Sequence, residues 1–86
     1  MSEIREFLAE QYGKDLLFAD GYDDCICGVI ERYGMPCVVC YDIEKIISNI
    51  MSESFSREEA MEHFNYNILG SYVGEYTPCF LNKVYH

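Results

Sequence analysis

The chain of 86 residues is half hydrophobic and carries fifteen acidic against six basic side chains, a formal charge of -9. A chain of this length supports one domain, residues 1–86, with roughly 60–65% of its unfolded surface buried and little room for an enclosed active site. The surplus charge repels phosphate backbones and anionic bilayers, which are gripped by Lys and Arg, so direct nucleic-acid and membrane partners are excluded and a protein with a basic surface is favoured.

No apolar run approaches the roughly 18–20 residues of a membrane span. The start, MSEIREFLAE, lacks the basic and apolar regions of a secretory leader, so a cytoplasmic location is expected.

Ile4, Phe7, Leu8 and Tyr12 recur at helical spacing, with Ser2 as cap and Gly13 as stop, and predict a first helix. Residues 16–19 form a short apolar run, either an edge strand or an extended lead-in. Residues 25–33 are strand-like, with β-branched Ile26, Val29 and Ile30. Gly34 and Pro36 mark a tight turn into the buried-strand pattern CVVCY at 37–41, giving a β-hairpin. Asp42 then caps a helix whose Ile43, Ile46, Ile47, Ile50 and Met51 fit one apolar face.

After SESFS, a capping box from Ser56 to Glu59 opens a third helix. Its inner stripe is Met61, Phe64, Ile68 and Tyr72, with Ala60 and Leu69 beside it. Gly70 weakens that helix by about 1 kcal/mol relative to alanine and marks close packing or fraying. Gly74 and Pro78 end the segment, and CFLNKV reads as a last strand. The order α-β-β-α-α-β predicts an α+β fold, a small, mostly antiparallel three-stranded sheet with helices packed against it. Its second face is expected to lie under the first helix or to form an interface, which admits a homodimer.

Cys25 and Cys27, then Cys37 and Cys40, make a C-x-C…C-x-x-C pattern that could hold zinc through four thiolates. Val38 and Val39 occupy the place of the usual glycine-containing knuckle, and Cys37 and Cys40 on one strand point to opposite faces. Cys25 and Cys27 share a face on a regular strand, as core residues do. The sulfurs, Cys79 included, therefore read as packing material, with no metal, no cofactor and no disulfide framework.

No pattern names a reaction. His63 and Asn67 share a helix face, but nothing around them resembles a thiol-protease setting. DGYDD lacks the alternating oxygen ligands and closing glutamate of a calcium loop. The scattered glycines form no phosphate-cradling loop. The expectation is a protein without catalytic activity. The acidic residues offer contact surfaces instead: Asp20, Tyr22, Asp23 and Asp24 around Gly21; Glu58, Glu59 and Glu62 at the start of the third helix; Glu75 and Tyr76 in GEYTP. Tyrosine beside carboxylate on a loop suits an arginine-rich partner, although Glu58 and Glu59 also serve the helix dipole.

The segments LLFADGYDD, RYGMPCVVCYDIEKII and EEAMEHFNYNILGSYVGEYTPCFL together resemble a group of small acidic proteins of tailed bacteriophages and prophages. The marks are the aspartate–glycine–aromatic–acid turn, the tyrosine–aspartate helix start, and the asparagine and Val-Gly-Glu residues before Thr-Pro. In that group positions 25, 27, 37 and 79 look like sites of small apolar residues, which weakens zinc further. The resemblance implies the cytoplasm of an infected bacterium and stoichiometric binding to a host protein with a basic surface, as an inhibitor of a host defence (anti-CRISPR-like) or of a nucleic-acid-processing complex. The alternative is an oligomer that sequesters a small nucleotide-like signalling molecule, for which Arg32, Arg57 and Lys83 would have to gather and Tyr22, Tyr76 and Asn65 would meet the base. A purely structural or regulatory dimer joined through the open sheet face, and a zinc module, complete the possibilities.

Overall fold

A computed structural model describes residues 3–70 and 74–84; the predicted cap Ser2, the stripe residue Tyr72 and the terminal His86 lie outside them. Helix α1 (Glu3–Tyr12) leads through an extended segment and a 3-10 turn (Asp23–Cys25) into strand β1 (Ile26–Ile30). Strand β2 (Val38–Asp42), helices α2 (Ile43–Met51) and α3 (Arg57–Phe64), a π-turn (Asn65–Leu69) and strand β3 (Cys79–Leu81) follow.

The sheet order is β1-β2-β3, with β1 and β2 antiparallel and β2 and β3 parallel. The sheet is therefore mixed, where the sequence reading expected mostly antiparallel pairing. A parallel neighbour requires a long crossover, and α2 with α3 supplies it between Asp42 and Cys79. Residues 16–19 add no strand; the Ala19 N–H instead donates to the Tyr41 hydroxyl at 2.7 Å.

Strand β2 is central and buried along its whole length, which is why CVVCY is apolar without alternation. The core gathers Leu8, Leu16, Cys25, Val39, Tyr41, Ile46, Ile47, Ile50, Ala60 and Phe64. Burial of Ile46, Ile47 and Ile50 of α2 is worth about 1.5–3 kcal/mol each. Phe80 continues this core from β3, edge-on to Phe64 at 5.3 Å between ring centroids.

Two predicted stripes are narrower than their spacing implied. In α1 only Leu8 is buried, while Ile4, Phe7 and Tyr12 are exposed. In α3 the inner residues are Ala60 and Phe64; Met61 and Leu69 are exposed and Ile68 is half-buried. The π-turn adds a residue to the helical repeat and rotates the apolar positions that follow. Gly70 sits where a side chain would crowd it, since an added Cβ would lie 3.3 Å from the Asn65 carbonyl oxygen. Met51 is likewise exposed at the end of α2.

The core lies on one face of the sheet, and Leu8 of α1 belongs to it. Helix α1 therefore packs on the core side and does not cover the second face, one of the two alternatives above. On that second face the strand register places Cys40 beside Cys79, and Val38 opposite Ile30. No helix of the described residues is long and apolar enough to cross a membrane.

Candidate binding surface

The segment ADGYDD is built as a knot rather than as a free loop. Gly21, at φ +88°, takes the left-handed conformation that side chains disfavour and turns the chain. Arg5, reaching across from α1, then ties the turn down: its Nε donates to both carboxylate oxygens of Asp23 at 2.9 Å, and its Nη2 lies 3.2 Å from Asp20. The guanidinium also sits 5.1 Å from the centre of the Phe18 ring. The Asp23 and Asp20 carboxylates outweigh partial burial and hold the Arg5 pKa above its ordinary value.

Asp24 is held from the other side. Asn49 of α2 donates to its two oxygens at 3.2 and 3.3 Å, and the Cys25 thiol lies 3.6 Å from it. Burial first, and the Asp24 carboxylate next, push the Cys25 thiol up to about 12, so it stays protonated in the core. Asp20 projects outward, its side chain 96% exposed. Tyr22 is half-buried against the core, with its hydroxyl pKa raised by burial and then by Glu53.

Asp20 and Tyr22 line one wall of an apolar cleft of about 470 Å³. Asn67, Ile68, Thr77 and Phe80 contribute the other side. The second predicted loop thus meets the first through Thr77, whose hydroxyl donates to the Gly74 carbonyl at 2.6 Å. Glu75 is exposed and faces a separate recess of about 200 Å³ shared with Arg32 and Met35; Tyr76 is half-buried.

Glu58, Glu59 and Glu62 are exposed on α3. At about 1.5 Å of rise per residue, Glu58 stands roughly 15 Å along the helix from Ile68 in the cleft. The acidic start of α3 and the acidic turn are therefore distinct patches. Glu59 is committed to the capping box: it accepts from the Ser56 N–H at 2.9 Å while its own N–H donates to Ser56 Oγ at 3.2 Å. Those Ser56 bonds hold its carboxyl below the usual range.

Among the described residues the ion pairs are Arg5 with Asp20 and Asp23, Arg57 with Glu44, and Lys83 with Asp42. Arg57 and Lys83 both stand at the first turn of α2, whereas Arg32 lies beyond the other end of β2, so the three cations of the nucleotide alternative do not gather. His63 is exposed, with its ring 6.2 Å from Phe55 and its Nδ1 3.3 Å from Asn67 Nδ2.

The sulfurs are split between environments. Cys25 and Cys37 lie on the core side and Cys40 on the other face, so the predicted opposition of Cys37 and Cys40 holds. Cys25 and Cys27 do not share a face: the 3-10 turn buries Cys25, and a bulge between Ile26 and Gly28 sends Cys27 to the exposed side. Cys79 is exposed too, not core, because Phe80 takes the inward position. Among the described residues no group of three or more Cys, His, Asp or Glu side chains is arranged to hold a metal ion.

Sequence reasoning placed Asp20 and Tyr22 in one turn and residues 74–78 in another from turn chemistry; Thr77 and Pro78, not Glu75 and Tyr76, line the cleft with the first turn. It missed Arg5 and Asn49, whose partners lie 18 and 25 residues away and leave no local signal. No family model, curated protein or solved structure matches the chain.

Proposed function

We propose that this protein is a non-enzymatic, stoichiometric binder that meets a basic surface of another protein through its carboxylate-rich exterior, in the manner of a phage-encoded inhibitor of a host defence or nucleic-acid-processing complex. One observation carries the reading. Three of the six basic side chains are spent on internal ion pairs, while Glu53, Glu58, Glu62 and Glu75 stay exposed outside those pairs. Outside those pairs the exposed carboxylates far outnumber the exposed Lys14, Arg32 and Lys45, and such a net negative field steers a cationic partner.

Affinity capture from bacterial lysate at low and high salt tests it. A basic protein is expected in stoichiometric yield, lost at high salt and reduced about tenfold or more in affinity by Glu58→Lys with Glu62→Lys. Capture indifferent to salt and to both reversals, or no capture, overturns the reading. Asp23→Lys is a poor probe, since it would set a lysine against Arg5.

The cleft favours a second reading, an oligomeric binder of a small nucleotide-like molecule, because about 470 Å³ falls in the size range of ligand sites. It ranks below the first: Asp20 lies on the wall and disfavours phosphate, and Arg57 and Lys83 are engaged elsewhere. A thermal shift with nucleosides or nucleotides, absent with basic peptides, would reverse that order.

A further inference from the structure

Three thiols cross the second face of the sheet in a row. The strand register makes Gly28, Cys40 and Cys79 successive Cα partners across β1, β2 and β3. The bulge inserts Cys27 beside Gly28, so two residues of β1 oppose the single Cys40. Cys27 Sγ lies 3.6 Å from Cys40 Sγ and 3.4 Å from the Cys40 carbonyl oxygen. A side chain on Gly28 would meet nothing within 4 Å, so the space beside the pair is open.

We propose that Cys27 and Cys40 are a reversible thiol–disulfide modification site, closed by a low-molecular-weight disulfide such as oxidised glutathione. Disulfide sulfurs stand about 2.05 Å apart, so the pair needs an approach of roughly 1.5 Å, within reach of side-chain rotation at an exposed cysteine.

The two thiols have different roles. Cys27 is exposed, whereas Cys40 is only 4% exposed. Burial, then the Cys27 thiol, with smaller contributions from Cys79 and Asp42, push the Cys40 thiol up to about 12. Cys27 therefore reacts first. Its thiolate, having given its proton to solvent, attacks one sulfur of the small disulfide and expels one small thiolate. Cys40 then gives up its proton and its sulfur attacks Cys27 Sγ, expelling the second small thiolate. The two thiolates take up the two protons. The protein loses two electrons and the small disulfide gains them. The new bond staples edge strand β1 to central strand β2 at the bulge. Cys25 and Cys37, on the core side, take no part.

The test is titration of the reduced full chain with oxidised glutathione, followed by alkylation of remaining thiols and peptide mapping by mass spectrometry. The expected product is an internal Cys27–Cys40 bond, with two fewer alkylated thiols and reversal by excess reduced glutathione. Cys40→Ser is expected to stop at a mixed disulfide on Cys27, and Cys79→Ser to close the bond as the unaltered chain does. A persistent mixed disulfide in the unaltered chain, an internal bond to Cys79 instead, or closure only in denaturant overturns the proposal. The mapping of the unaltered chain decides the matter even where a variant fails to fold.

Discussion

Asp42 does two jobs with one carboxylate. Only 2% exposed, it caps α2 by accepting from the Glu44 N–H at 3.0 Å, and it meets Lys83 Nζ at 3.0 Å. The hydrogen bond from Lys83, partly offset by burial, holds its carboxyl below the ordinary 3.8. A carboxylate depressed in the folded state stabilises fully above its unfolded pKa, and that contribution fades as pH falls through the folded value. Asp42→Asn keeps a capping oxygen but loses the Lys83 ion pair. The stability gap between the native chain and the variant, measured by urea unfolding, is therefore expected to be constant near neutrality and to close below about pH 4. A gap that widens on acidification would contradict this. The capping role of Asp42 was legible from its place before an apolar repeat. Its lysine, 41 residues on, was not, because ion pairs across a fold have no period.

At the scale of elements, local chemistry and packing can be separated in α3. The capping box there is made of residues three apart, and both of its hydrogen bonds form as the pattern Ser56 to Glu59 dictates. Ser56→Ala removes the acceptor for the Glu59 N–H and is expected to cost about 1 kcal/mol, read as a lower urea midpoint at unchanged slope. No change would mean that the helix start is held by the Arg57–Glu44 pair instead. The apolar stripe of the same helix was less well anticipated. Helical spacing identifies which residues share a face, but not how much of that face a neighbour covers. Phe64 and Ala60 meet α2 and the sheet, while Met61 lies past the edge of contact. The same holds for α1, where Phe7 is 56% exposed beside the buried Leu8.

At the scale of the whole molecule, the accessible surface is 6246 Å². A compact protein of 10.0 kDa exposes roughly 5,200 Å². The excess accompanies exposed Phe7, Tyr33, Tyr66 and Val84. Net charge acts on the same scale. With -9 spread over so small a body, self-repulsion opposes folding and added salt screens it. The thermal midpoint is therefore expected to rise by a few degrees as sodium chloride goes from about 0.01 to about 0.15 M, where the screening length shrinks to roughly 8 Å. A falling midpoint would mean that Arg5 with Asp23 and Lys83 with Asp42 outweigh the repulsion.

The amino-acid order alone determined the α+β class, the hairpin, the caps of α2 and α3 and the acidic exterior. Each rests on interactions within a few residues, on the period of burial, or on a sum over composition. Only the tertiary structure decided that β3 pairs parallel to β2, that Arg5 closes the acidic turn, that Tyr22 meets the 74–78 loop across a cleft, and that Cys27 faces Cys40. Each of these depends on where segments far apart in the chain come to rest, and a single bulge in β1 was enough to move a sulfur from one face of the sheet to the other.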